Sequence, residues 1–261
     1  MDIFDFHAHI YPEKIASRAV EGVGGFYHIH MHCDGLAETL IKNGKEGGIS
    51  HFLVHSVATS PKHVTVINDF IADECKKHEE FYGFGTMHPE FENKEEEIMR
   101  MKANGLCGLK IHPDTQYFNM DDERMFGVYD LLRSEKLPIL IHCGDYRYTY
   151  SHPKRVKRLL REFPGLTVIA AHFGGWSVCD LALEYLLNEN CYVDVSSSLM
   201  FCGLKRGKEL IRLYGKERVL FGSDFPMWSP KDELKTFYKM NLTDEEYEYT
   251  LSRNAKRILG L

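Results

Sequence analysis

Asp5-Phe6-His7-Ala8-His9 closes the first apolar run of the chain, residues 3–6, and its reading decides the fold that follows. On a β-strand, residues i and i+2 share a face, so His7 and His9 approach one point together. Imidazoles paired in this way hold transition metals such as zinc. The same pair also suits a metal-free strand end, each ring hydrogen-bonded to backbone or carboxylate. The rest of the chain decides between the two, by what it delivers at its other strand ends.

Seven further short runs rich in Val, Ile, Leu and Phe follow, at 51–57, 81–87, 106–111, 137–143, 166–172, 192–196 and 219–224. Near-continuous hydrophobicity over such lengths suits strands buried on both faces of a parallel sheet. Helix-like segments separate them, at 36–43, 61–78, 95–103, 122–134, 153–163, 177–187, 205–214 and 230–240. Val64, Ile67, Ile71 and Cys75 recur at helical spacing, and Pro61 suits a first turn. Asp121 and Ser229 read as N-caps, Gly105 and Gly165 as stops or turns. Eight strand–helix alternations predict a single (β/α)8 TIM-type barrel domain over 1–261, closed by an extra C-terminal helix at 243–259. A doubly wound open sheet is the alternative, but no Gly-x-Gly-x-x-Gly turn follows the first strand. The one irregular connection, 10–35, holds Gly22, Gly24, Gly25 and the run His28-Ile29-His30-Met31-His32. It reads as a polar loop covering the catalytic face, with a second metal site at His28, His30 and His32 the lesser reading.

Composition narrows the function. With 44% hydrophobic and 12% aromatic residues, the chain buries a substantial core. A formal charge of −6 and the lack of a basic stripe argue against nucleic acid as a partner. The densest basic stretch, Lys154 to Arg161, reads as a solvated helix face. No apolar run approaches the ~20 residues that span a bilayer. Seven cysteines without framework spacing point to reduced thiols, and the expectation is a cytoplasmic enzyme acting on a small molecule. Of oligomeric state the sequence carries only an expectation of homodimers.

A (β/α)8 barrel keeps its active site at the C-terminal ends of its strands. Read in order, those ends carry His7 and His9, Lys110 with His112, His142, His172 and Asp224. Singly, His142 and His172 suit core histidines, and Asp224, between Gly222-Ser223 and Pro226, suits a turn. Together they gather polar groups of one kind at the strand ends, more than chance readily supplies. Arg147, flanked by Tyr146 and Tyr148, either clamps an anionic planar substrate or faces solvent or a partner chain. Trp176 either lines the pocket or starts a helix in the core. Gly174 and Gly175 let backbone pass close beside His172.

DFHAHIYP at 5–12, GLKIHP at 108–113, LIHCG at 140–144, AAHFGG at 170–175 and FGSDFP at 221–226 resemble the amidohydrolase superfamily. The branch resembled includes aminocarboxymuconate-semialdehyde decarboxylase and related hydrolases, and the likeness runs to the closing LTDEEYEYTLSRNAKRILGL. It implies a catalytic divalent ion, most often zinc. His7, His9, His142 and Asp224 match its ligands, and His172 matches a histidine that binds a second metal or contacts water and substrate. It also leaves Lys110 two roles. In binuclear members a lysine there is carbamylated and bridges two ions. The single-ion reading is preferred here, with Lys110 attracting a substrate carboxylate or pairing with Asp224; His112 is a separate substrate-side candidate. Hydrolysis of a small ester, lactone or amide is the first expectation. Asp224 would take the proton, and His172 would polarise the carbonyl or orient the water. Non-oxidative decarboxylation of a small unsaturated or aromatic acid on the same site is the second. A non-catalytic scaffold is disfavoured, because a barrel needs no inward ligands to fold.

Overall fold

Eight parallel strands run in chain order around the computed structural model, which describes residues 2–261. They are β1 (Phe4–His9), β2 (His51–His55), β3 (Phe81–Gly83, resumed as Gly85–Thr86), β4 (Leu109–Ile111), β5 (Ile139–Ile141), β6 (Val168–Ala170), β7 (Tyr192–Asp194) and β8 (Val219–Leu220). Phe84 interrupts β3, so that its first half pairs with β2 and its second with β4. The alternating helices are α1 (Glu13–Tyr27), α2 (Ala37–Gly47), α3 (Val64–Lys77), α4 (Lys94–Ala103), the single turn α5 (Pro113–Gln116), α6 (Phe126–Ser134), α7 (Pro153–Glu162), α8 (Cys179–Leu186), α9 (Leu199–Tyr214) and α10 (Pro230–Tyr238). The closing segment is α11 (Asp244–Glu248) and α12 (Asn254–Leu259), joined by a π-helical turn. Thr243 and Glu246 start it with a reciprocal capping box, which satisfies two otherwise orphaned N–H groups.

Two apolar layers follow from the two faces of the strands. Outward residues such as Val54, Ile111, Ile141, Val168 and Val193 pack against Leu40, Ile71, Leu132, Leu159 and Ile211 of the helices. Inward residues Phe4, Phe6, Leu53, Phe84, Leu140, Ile169 and Leu220 fill the barrel, and Ala255 of α12 joins them. On β4 the same alternation that aims Leu109 and Ile111 outwards aims Lys110 inwards.

β1 departs from strict alternation where the chemistry begins. Its register against β2 shifts between Asp5 and Ala8. Phe4 and Phe6 belong to the inner layer, whereas Ala8 belongs to the outer one. An irregularity of this kind re-aims side chains, and here it turns His7 and His9 towards the mouth. The Asp5 carboxylate fills the gap in the ladder, accepting from His7 N at 3.2 Å and from Ser223 N and hydroxyl at 2.8 and 2.5 Å. That carboxylate is pushed up to about 7 by burial, against the pull of these donors. Asp224 N donates to His7 O at 2.8 Å and His9 N to Phe225 O at 2.7 Å, completing a seam between the first and last strands. Gly222 permits that approach, since a Cβ there would stand 2.7 Å from His7 Cβ.

Two local expectations are corrected. The 10–35 connection is no irregular loop, because Glu13–Tyr27 is a 15-residue helix despite Gly22, Gly24 and Gly25. Asp121 is not a cap: Asp122 accepts from Arg124 N, and Asp121 holds Arg155 at 2.6 Å and Arg158 at 3.2 Å. The basic stretch is the solvated face of α7, with Val156 and Leu159 buried beneath it. Among the described residues no helix is long and apolar enough to cross a membrane.

Candidate active site

The strand ends converge on a cluster of buried imidazoles, each oriented by what its outer nitrogen touches. His7 Nδ1 lies 2.9 Å from Asp194 Oδ2. A carboxylate only accepts, so Nδ1 carries the proton and the Nε2 lone pair faces the centre. His172 Nδ1 donates to Ser196 O at 2.8 Å, which leaves its Nε2 lone pair free in the same way. That nitrogen lies 3.0 Å from His142 Nδ1. His142 Nε2, on the far side, faces Asp114 Oδ2 at 3.5 Å and has no hydrogen-bond partner. Burial holds His7 and His142 well below the usual imidazole range, with Lys110 adding to the effect on His7 and His112 to that on His142. His9 is pushed down to about 3 by burial and Lys110, against the pull of Asp224.

Asp224 brings the carboxylate to this set. Its Oδ1 lies 3.4 Å from His7 Nε2 and 3.6 Å from His9 Nε2, while Oδ2 accepts the Ser197 hydroxyl at 2.5 Å. Trp228 Nε1 in turn donates to Ser197 Oγ at 2.8 Å. The backbone at Asp224, His172 and Ser197 is left-handed, with φ of 60°, 62° and 52°. Non-glycine residues held there cost roughly 1–3 kcal/mol each, an expense that gathers at functional sites.

His7, His9 and Asp224 fit a divalent cation, whereas the ligand atoms of His142 gather with His112 and Asp114. Donors about 2.0–2.2 Å from a tetrahedral ion stand roughly 3.3–3.6 Å apart, the separation that Asp224 keeps from both histidines. A second triad, His112, Asp114 and His142, also gathers ligand atoms within 4.8 Å. It does not suit an ion: the His112 and His142 rings stack at 3.8 Å and 8°, so their in-plane lone pairs run side by side and do not converge.

Lys110 stands fully buried with Nζ 3.0 Å from His7 Nε2, and burial lowers it to about 8 against the pull of Asp194 and Asp224. Its hydrogen-bond partner is thus His7 rather than the expected Asp224. His112 does not open towards solvent, because its Nε2 meets Tyr27 OH at 2.5 Å. Arg147 is turned away from the clamp role. Its Nε and Nη2 grip Asp145 at 3.0 and 2.6 Å, and Nη1 donates to Phe26 O at 2.6 Å. The guanidinium lies over the Phe26 and Tyr27 rings, at 4.9 and 5.4 Å. Trp176, 4% exposed, packs under Tyr27 at 4.7 Å. Arg147 and Trp176 therefore fasten the end of α1 as a roof. His28, His30 and His32 are exposed and take part in none of the ligand groups found among the described residues.

Residues outside the expected set also converge here. Asp194 ends β7 and Ser196 and Ser197 follow it, and the YVDVSSS run that carries them is a sequence signal outside the expected set. Tyr27 had no signal, since it depends on α1 folding over the mouth. His55 lies inside an apolar run, and both its buried ring nitrogens lack partners. Beside Ser197 opens a cavity of about 250 Å³, lined also by Leu199, Met200, Leu204, Trp228 and Glu233.

Residues 5–261 match the profile of the Amidohydrolase family. The chain belongs to that family. It is an enzyme of the amidohydrolase superfamily, and solved structures share the barrel of this amidohydrolase from end to end. A 5-carboxyvanillate decarboxylase from Novosphingobium aromaticivorans, solved with manganese and a nitrobenzoic acid, is 16% identical with a TM-score of 0.77, over 100% of this chain and 97% of that one. A 2,6-dihydroxybenzoate decarboxylase from Rhizobium is 16% identical with a TM-score of 0.76, over 100% and 99%. A probable 2-pyrone-4,6-dicarboxylic acid hydrolase from Acinetobacter baumannii is 16% identical with a TM-score of 0.74, over 100% of both chains. Identity this low carries the fold and not the reaction. The curated proteins contain no sequence that matches this amidohydrolase.

Proposed function

We propose that this amidohydrolase hydrolyses a small ester, lactone or amide in the cytoplasm, with a divalent ion, zinc or a similar one, held by His7, His9, His142 and Asp224. The observation that carries the reading is the Asp224 carboxylate, whose one oxygen faces the two histidines while the other is fixed by Ser197. When bound, the ion supplies Lewis acidity at the reacting carbonyl and for water. Asp224 receives the proton of the attacking water, and the Ser197 hydroxyl and Trp228 N–H behind it hold the carboxylate in one rotamer. His172, its Nδ1 anchored on Ser196 O, presents the Nε2 lone pair as an acceptor that orients the water. The cavity beside Ser197 takes the apolar part of the substrate, and Tyr27 and Trp176 keep bulk water from the histidines.

Decarboxylation of an aromatic or unsaturated acid is the second reading, favoured by the activities named for two of the structural neighbours. Beside the ion, which would bind the substrate's oxygens, a side-chain cation would strengthen its hold on the carboxylate. Arg147 is committed to Asp145 and Phe26, so only Lys110 remains near the imidazoles, and this supports hydrolysis first. Product analysis over a panel of lactones, esters, amides and unsaturated acids tests the choice. Hydrolysis incorporates ¹⁸O from solvent into the product acid and releases no CO₂. Release of CO₂, with deuterium from D₂O at the carbon that lost it, would replace hydrolysis by decarboxylation.

A further inference from the structure

His55 has no place in the ligand pattern that the sequence motifs imply, and its surroundings are those of a ligand. It ends β2 directly beside His9, its register partner on β1, so the two rings stand at the same height above the barrel plug. The ring is fully buried, and neither Nδ1 nor Nε2 has a hydrogen-bond partner. Every other imidazole of the inner cluster that is fully buried has at least one nitrogen engaged: His7 on Asp194, His172 on Ser196, His112 on Tyr27. An imidazole with both nitrogens idle in a dry interior is a costly arrangement unless something absent from the protein atoms uses one of them.

The geometry points to a cation as that partner. His55 offers a ligand atom within 4.8 Å of ligand atoms on both His7 and His9. Its ring stands edge-on to His9, at 4.3 Å and 89°, and at 67° to His7. Crossed rings aim their lone pairs in different directions, which lets them meet at one point, as the stacked His112 and His142 rings do not. We infer that His55 is a further protein ligand of the cation held by His7, His9 and Asp224, an inference that rests on the metal site proposed above. Added to His7, His9, His142 and Asp224, a fifth protein donor raises the coordination number beyond the four of a tetrahedral site, and so selects for ions that accept five or six donors.

The test uses the full-length chain, stripped of metal and reloaded with Co²⁺, read by ligand-field absorption and by competition with a chromophoric chelator. His55→Phe and His55→Gln should each shift and intensify the visible bands, as coordination number falls or a nitrogen donor is replaced. Both should weaken Co²⁺ binding by at least about tenfold, with the far-UV circular dichroism unchanged. His9→Ala serves as the reference for loss of an accepted ligand. If His55→Phe fails to fold, the glutamine variant, which keeps polar atoms at the position, decides alone. Unchanged bands and affinity in the His55 variants, alongside loss of the ion in His9→Ala, would overturn the His55 assignment and leave the site standing. Failure of the unmodified chain to bind Co²⁺ at all would overturn both.

Discussion

The barrel has two interiors stacked on the same strands. Below, Phe4, Phe6, Leu53, Phe84, Leu140, Ile169 and Leu220 form a dry plug. Above, His7, His55, Lys110, His142, His172 and Asp194 are buried to the same degree, at 0–2% exposure. Burial in the lower layer removes apolar surface from water and stabilises the fold. Burial in the upper layer drives the pKa values of His7, His55, His142 and Lys110 down and leaves ring nitrogens of His55 and His142 without partners. Equal burial thus has opposite energetic signs a few residues apart, and the lower layer offsets the cost of the upper one.

Substitutions in each layer should separate stability from chemistry. Phe6→Ala in the plug should lower unfolding free energy by about 3–5 kcal/mol in a urea titration, because a large buried ring leaves a cavity. A loss under 1 kcal/mol would mean that the plug is not what supports the mouth. Asp224→Asn should cut kcat by at least ~10²-fold, since the amide takes no proton at neutral pH. Its stability should move by less than ~1 kcal/mol, because asparagine tolerates the left-handed backbone found there. A variant that unfolded while keeping its turnover would reverse the assignment of the two layers.

Lys110→Met probes the boundary between the layers. With a single ion, metal content should stay constant, and the metal-free chain should be as stable as before or about 1 kcal/mol more so, as a buried charge is replaced by an apolar chain of like volume. Two ions about 3.5–4 Å apart, bridged through a modified lysine, would instead place Lys110 among the ligands. The smallest effect is expected at the roof. Tyr27→Phe removes the hydrogen bond to His112 and should cost about 1 kcal/mol, seen as a few-fold rise in KM at unchanged kcat. A fall in kcat of tenfold or more would give the phenol a part in the chemistry.

The eight strands were legible because both faces of each are buried, which leaves unbroken apolar runs that need no register to be recognised. Side-chain direction at the mouth was legible only in part. His7, His9, Lys110 and Asp224 lie where strand ends alone place them, whereas Arg147 could not be aimed from its own neighbourhood. Its direction is set by Phe26, a residue 121 positions away. Helix α1 went unread for a related reason. Its three glycines weaken local propensity and Ala16 is its one buried residue among those assigned, so tertiary contacts at Phe26 and Tyr27 fix its end. His55 was hidden inside an apolar run until its register against His9 was known.

The seam between β1 and β8 has a consequence for when the enzyme comes into being on the ribosome. Residues 7 and 9 leave the exit tunnel before the rest of the barrel, while residue 224 emerges after its eighth strand. The carboxylate of Asp5 and the amide of Ser223 meet only then. Joining positions so distant in sequence carries a loop-closure cost that grows slowly with length, so the delay lies in synthesis more than in the search. A nascent chain halted before its eighth strand holds the histidines but not their carboxylate. Metal capture with full affinity would accordingly mark the closed barrel, and a chain halted short of it would be recognisable by its weaker hold on the ion.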